Sequence, residues 1–257
     1  MQEPCFPTGA YRRRIRLVAT EPGVVHAGLE DDFHYFEVVL RHDDEHVVAC
    51  EGRARRWPWS TCVDALDTLH VLAGMPLTTD SLAMAQWSNP RQHCTHQFDL
   101  TGFAVTHAAR QQHGGAKTRQ YDAEVPARAA FAASPQQARL SRDGAPVLTW
   151  TLHEERVLEP DPFTDAPWRR GFLRWAQERF AGDDEAIEAI FVLRRACEIA
   201  NARGVDLSHV DTAAELSNGL KGTCYTMSVE RMPVALRLHD AIRDYDSHPE
   251  DLLGAGP

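Results

Sequence analysis

Apolar and polar positions alternate with period two through residues 11–20, where Arg14 and Arg16 are set against Ile15 and Leu17, as a half-buried strand requires. GVVHAGL (23–29) reads as a second strand. FHYFEVVLRH (33–42) and HVVACEGRARRW (46–57) read as a hairpin turned at 43–45. Pro58 ends that strand, and Ser60 or Thr61 can cap a helix over 62–74 with Leu66, Leu69 and Val71 as its stripe. A short helical turn is predicted at 81–88, and a longer helix at 95–113 that stops at Gly114-Gly115. YDAEVPAR (121–128) is a strand, and 137–158 is a hairpin turned at Asp143-Gly144, a strong short-range signal.

Past the proline-rich stretch 159–167 the period changes. Residues 168–182 and 183–204 are amphipathic helices, the second with acids in its first turn and bases toward its last, as the helix dipole favours. Further helices are predicted at 208–218 and 232–244. The expected fold is α+β: an antiparallel β-sheet with buried helices (1–158), a helical half packed on it (168–246) and a poorly ordered tail (247–257).

The 257-residue chain is long enough for a sizeable core, and its 43% hydrophobic and 25% charged content is ordinary for a globular protein. A net charge of −10 argues against nucleic acid as partner. Arg12, Arg13, Arg14 and Arg16 are the exception, read as a solvated strand or an anion site. MQEPCFPTGAYRRR lacks the apolar stretch of a signal peptide, and no later run approaches about 18 apolar residues. The chain is therefore expected in the cytoplasm, without a membrane partner, its six cysteines as thiols. A homodimer is the default expectation.

Three clusters carry candidate chemistry. In HCTHQFDLTGFAVTH (93–107), His96, Asp99 and His107 fall on one broad helix face with Phe103, and a carboxylate beside an imidazole orients it for acid–base work. A buried structural His–Asp bond is the plain alternative. In EDDFHYF (30–36), strand alternation puts Asp32 and His34 on one face. In RARRWPWSTC (53–62), Arg56, Trp57 and Trp59 offer a cationic, aromatic wall, with packing as the plain alternative for the tryptophans. Cys62 opens a helix whose dipole lowers a thiol pKa. A metal would draw on His34, His93, Cys94 and His96, but that set has no familiar ligand spacing, so no metal and no cofactor are expected. GxGxxG, GxxxxGK[ST], GxSxG and HExxH are all missing.

The run RRRIRLVATEPGVVHAGLEDDFHYFEVVLRH, followed by RWPWSTC, CTHQFDLTG, GTCYTMSVE (222–230) and ALRLHDAIRDY (235–245), resembles the DUF2889 family, a bacterial family without an established function. The resemblance covers most of the chain and carries over Asp32, His34, the Pro58–Cys62 segment, Cys94, His96, Asp99 and Tyr225. It implies an association with the catabolism of aromatic or lipid-like compounds and assigns no reaction.

The reading that combines these clusters is a cofactor-independent lyase or isomerase on a phenolic, lignin-derived small molecule. One version eliminates formaldehyde from a hydroxymethyl side chain. His96 and Asp99 would act with His34 or Asp32, and Arg56 or Tyr225 would stabilise an oxyanion. Trp57, Trp59, Cys62, Phe103 and His107 would complete the substrate pocket. Two other readings stay open: a thioester or ester hydrolase using Cys62 or an activated water, and a ligand-binding protein without catalysis.

Overall fold

The computed structural model describes residues 5–216 and 220–254. Its centre is one eight-stranded sheet in which every neighbouring pair is antiparallel. The strands are β1 (Ala10–Glu21), β2 (Val24–Asp31), β3 (Tyr35–His42), β4 (Val47–Arg56), β5 (Thr118–Pro126), β6 (Gln136–Arg142), β7 (Ala145–His153) and β8 (Arg156–Glu159), in the spatial order β4-β3-β2-β1-β5-β6-β7-β8. Among the described residues five α-helices accompany them: α1 (Met84–Trp87), α2 (Thr95–Gln111), α3 (Arg128–Ala133), α4 (Phe172–Arg179) and α5 (Asp184–Ala200). The α+β class expected from the sequence is the class observed.

The long helices α2 and α5 lie side by side on one face of the sheet. α2 covers β1 to β4, and α5 covers β1, β5, β6 and β7. The alternation in β1 explains the sidedness. Tyr11, Arg13, Ile15 and Leu17 are buried toward the helices, while Arg12, Arg14 and Arg16 point to the opposite face. There the register sets Arg12 opposite Glu124, Arg14 opposite Asp122 and Arg16 opposite Gln120, and each pair is bonded, at 2.6, 2.6 and 3.0 Å. The outward arginines are thus cross-strand partners of β5 rather than an anion site.

The hairpin at Asp143-Gly144 forms as its dipeptide predicts. Both residues have positive φ, 53° and 82°, the conformation of a type I′ turn. α2 begins at Thr95, one residue after the buried Cys94, and buries Phe98, Leu100, Phe103, Ala104 and Val105 on the core.

Four expectations are corrected. Residues Ser60–Leu72 form a helix, but one wound as 3-10, with Val71 exposed and Leu69 and Leu72 buried. It runs so close to β4 that a Cβ on Gly52 would stand 2.9 Å from Leu66. Over 208–218 the described residues contain only a single 3-10 turn, Ala213–Glu215, closed by a Thr212/Glu215 capping box; 217 and 218 lie outside the described residues. Residues 232–244 are not helical: their backbone is drawn into bridges with other segments. Ser60 N–H donates to the Leu236 carbonyl, Arg237 N–H to Asp211 and Leu238 N–H to Pro58. The tail to residue 254 is docked, with Leu252 and Leu253 buried, the Leu253 N–H on Glu30 and Arg14 on the Leu252 carbonyl.

Candidate functional site: two stacked histidines on an anchored aspartate

The site forms where the β2–β3 hairpin turns under the N-terminus of α2. Asp31 ends β2, Tyr35 begins β3, and Asp32-Phe33 is the two-residue turn between Asp31 and His34, closed by the Asp31 N–H donating to the His34 carbonyl at 2.8 Å. The β1–β2 register sets Asp31 directly opposite Arg13. The aspartate is buried and both of its oxygens are fully used. Oδ1 accepts the backbone N–H groups of Phe33 and His34, both at 2.8 Å, and lies 3.0 Å from His34 Nδ1. Oδ2 accepts from the Tyr11 hydroxyl at 2.7 Å and from Arg13 Nη2 and Nε at 2.7 and 3.1 Å. Burial alone would raise this carboxyl, but His34 and Arg13 outweigh it and hold it well below the usual carboxylate range.

An ionised Asp31 against Nδ1 fixes the His34 tautomer: Nδ1 carries the proton, and the Nε2 lone pair is left outward. His96, second residue of α2, stacks on His34 with ring centroids 3.8 Å apart and planes 27° from parallel. Phe36 flanks both rings, at 5.8 and 6.1 Å. Among the described residues neither ring nitrogen of His96 has a hydrogen-bond partner, and His34 Nε2 has none. Both imidazoles are held neutral. Burial lowers the pKa of His34 against the pull of Asp31, and burial with the neighbouring His34 and Arg13 lowers that of His96 well below its ordinary value.

Beside Phe36 lies a small apolar cluster with Ala65 and Cys94, against which Trp57 and Tyr225 pack half-buried. Trp57 Nε1 is buried without a partner among the described residues, and the Tyr225 ring is covered by the Arg231 guanidinium at 3.6 Å. Phe36 links this aromatic cluster to the histidine pair.

The structure brings His34 and His96 together across more than sixty residues of sequence, but it separates them from the two carboxylates expected to serve them. Asp99 bonds Arg195 Nε at 2.8 Å, not His96. Asp32 turns the other way onto Arg203; burial raises its carboxyl to about 7 although Arg203 opposes this, and its Oδ1 has no partner among the described residues. Residues 32–34 form a turn, so Asp32 and His34 do not alternate as they would in a strand.

Other expected pocket residues have structural work. Arg56 donates to the backbone carbonyls of Asp31, Asp32 and Ala241 at 2.6, 3.0 and 2.7 Å and to Glu30 at 3.1 Å, so it fastens the hairpin turn to the C-terminal segment. Trp59 is buried beneath Arg237. Phe103 is core, 5.4 Å from Phe191. His107 sits eleven residues, about 16 Å, along α2 from His96, and its Nε2 meets the Lys117 carbonyl at 3.1 Å. Cys62 is buried against Thr226 and its thiol is pushed up to about 12, the reverse of an activated nucleophile. Its segment is a 3-10 helix and Cys62 is its third residue, inside a cluster with Trp59, Met227 and Met232.

Asp31, His34 and His96 place potential metal-ligating atoms within 4.8 Å of one another. The histidines offer open nitrogens, but the Asp31 oxygens already accept from Tyr11, Arg13, two backbone N–H groups and His34, so the carboxylate is arranged to orient rather than to ligate. Asp31 is the residue the sequence reading missed. Its signal was the D-x-x-H spacing, in which an aspartate caps the N–H groups two and three residues on.

No family model matches this chain, and no curated protein matches it. Among the described residues no helix is long and apolar enough to cross a membrane.

Proposed function

We propose that the chain is a lyase or isomerase that works by proton transfer between His34 and His96 on an aromatic, phenolic small molecule. The observation that carries this reading is the stacked pair itself: two neutral imidazoles in contact, one anchored through Nδ1 by a buried carboxylate, both with nitrogens free of protein partners. A pair of neutral histidines can take a proton at one site and return one at another near neutral pH. The wall of Phe36, Trp57 and Tyr225 suits an aromatic ring.

Loss of formaldehyde from a hydroxymethyl side chain fits this inventory. One imidazole takes the hydroxyl proton and the bond between the hydroxymethyl carbon and the neighbouring carbon breaks. Formaldehyde leaves, and the freed electron pair becomes a C=C bond as a benzylic oxygen departs. The histidine pair passes that proton to the departing oxygen, so both imidazoles end the turnover neutral, as they began. No electrons are gained or lost overall, and no cofactor is required. The hydrolase reading loses its thiol nucleophile with Cys62.

The test is formaldehyde release, measured on purified protein with hydroxymethyl-bearing lignin-derived aromatic dimers. Stoichiometric formaldehyde and a conjugated product are expected. Turnover of acyl thioesters with no formaldehyde from any dimer would contradict the reading.

A further inference from the structure

Behind the anchored aspartate stands a tyrosine. Period-two alternation in β1 places Tyr11 and Arg13 on the face that meets the helices, and the register sets Arg13 opposite Asp31. Tyr11 is fully buried, and its ring lies 6.2 Å from that of Phe33 in the turn, the planes 19° from parallel. Its hydroxyl accepts from Arg13 Nε at 2.8 Å and donates to Asp31 Oδ2 at 2.7 Å. Burial pushes the phenol well above its usual range, so the proton stays on the tyrosine and the hydroxyl remains a donor to the carboxylate.

The two oxygens of Asp31 have different partners. Oδ1 meets His34 Nδ1 and two backbone N–H groups, whereas Oδ2 meets Tyr11 and Arg13. The carboxylate shares one negative charge between these oxygens. Each donor on Oδ2 draws charge from Oδ1 and weakens its pull on the Nδ1 proton of His34. A weaker pull at Nδ1 makes Nε2 a weaker base, one that releases a proton as well as taking it.

We propose that Tyr11 is a positioning residue for the histidine pair: its hydroxyl, braced by Arg13, sets how strongly Asp31 holds the Nδ1 proton of His34 and so how readily Nε2 takes a proton and gives it back. The charged and titratable groups that face His34 are Asp31 in its own turn, Arg13 on β1, Arg56 on β4 and His96 on α2. Tyr11→Phe keeps all four, and Arg13 Nε retains Asp31 Oδ2, 3.1 Å away. The consequence for turnover rests on the proton chemistry proposed above; the effect on His34 does not.

The experiment is an NMR pH titration of the full chain without substrate, the His34 imidazole resonance being identified by its loss in His34→Gln. In Tyr11→Phe the His34 midpoint should rise by about half a pH unit or more, while that of His93 stays in place. 3-Fluorotyrosine at position 11, a stronger donor of almost the same volume, should lower the His34 midpoint. A Tyr11 that only fills space would cost Tm in Tyr11→Phe without moving His34. An unchanged or lowered His34 midpoint in Tyr11→Phe overturns the proposal. So does a midpoint that does not fall with fluorotyrosine, which decides the matter should Tyr11→Phe not fold. In turnover, the acid limb of the kcat/KM profile should move up with the midpoint in Tyr11→Phe. A moved midpoint beside an unmoved limb would uphold the hold of Tyr11 on His34 and contradict the lyase reading instead, so the two failures are distinguishable.

Discussion

His93 and His96 stand three residues apart, and the difference between them shows what separates a structural histidine from a reactive one. His93 is buried with both nitrogens bonded, Nδ1 to the Thr68 hydroxyl at 2.8 Å and Nε2 to Ser88 at 2.7 Å, and its ring stacks on Phe98 at 4.6 Å. It joins the 60–72 segment to the loop after α1, with no lone pair to spare. His96, one helical turn on, has neither nitrogen bonded and lies against a second imidazole. Burial lowers the pKa of both rings, so charge does not distinguish them. Their hydrogen-bond partners do.

The largest effect that bears on this contrast belongs to Asp31. Removing it leaves Arg13 buried without its anion and His34 without its anchor. Asp31→Ala should cost about 3–5 kcal/mol of stability, a fall in Tm on the order of 10 °C for a chain of this size. Thermal melting with a loss under about 1 kcal/mol would show that the carboxylate is not the keystone of the turn.

Next is pH. His34, His93, His96 and His107 all have lowered pKa values in the folded chain. Below about 6.5 the unfolded chain takes up protons that the folded chain refuses, so stability falls as pH drops through that window. Asp32 acts with the opposite sign. Its carboxyl is raised to about 7 from 3.8, so the folded state binds the extra proton between those values and its contribution weakens as pH rises. Asp99, also raised by burial, acts in the same sense as Asp32, but four histidines outweigh two carboxyls, and Tm should be lower at pH 5 than at pH 7. An equal or higher Tm at pH 5 would mean that the rings are already charged in the fold.

His93→Gln comes third. Losing the bonded imidazole should cost about 1–3 kcal/mol, a drop in Tm of several degrees, with turnover retained per folded molecule. Loss of turnover without loss of stability would place His93 in the reaction. The smallest effect is at Cys62. A thiol pushed to about 12 is neutral, so Cys62→Ala should leave turnover within about twofold. A large loss would restore the thiol hydrolase.

The sheet was legible because period-two alternation is a local property. β1 to β4, the Asp143-Gly144 hairpin and α2 all follow from spacing within short windows. His34 and His96 were legible as chemistry-bearing residues in two separate segments. Their carboxylate was not. Within a strand Asp32 would share the face of His34, whereas a two-residue turn hands that place to Asp31 and sends Asp32 to Arg203, a residue 171 positions away. Asp99 has the right helical spacing from His96, but α5 brings up Arg195, and a guanidinium fork outcompetes a neutral imidazole for a carboxylate. The path of 232–244 escaped for a similar reason. Its backbone bonds go to Pro58, Ser60 and Asp211, none of them local.

Turnover and Tm of His96→Gln and His93→Gln, prepared side by side, decide most directly whether His96 carries the proton chemistry. A folded His96→Gln protein whose turnover is reduced on the order of 10²–10⁴-fold is expected, beside a less stable His93→Gln protein that keeps its activity. A well-folded His96→Gln protein with full turnover would contradict that role.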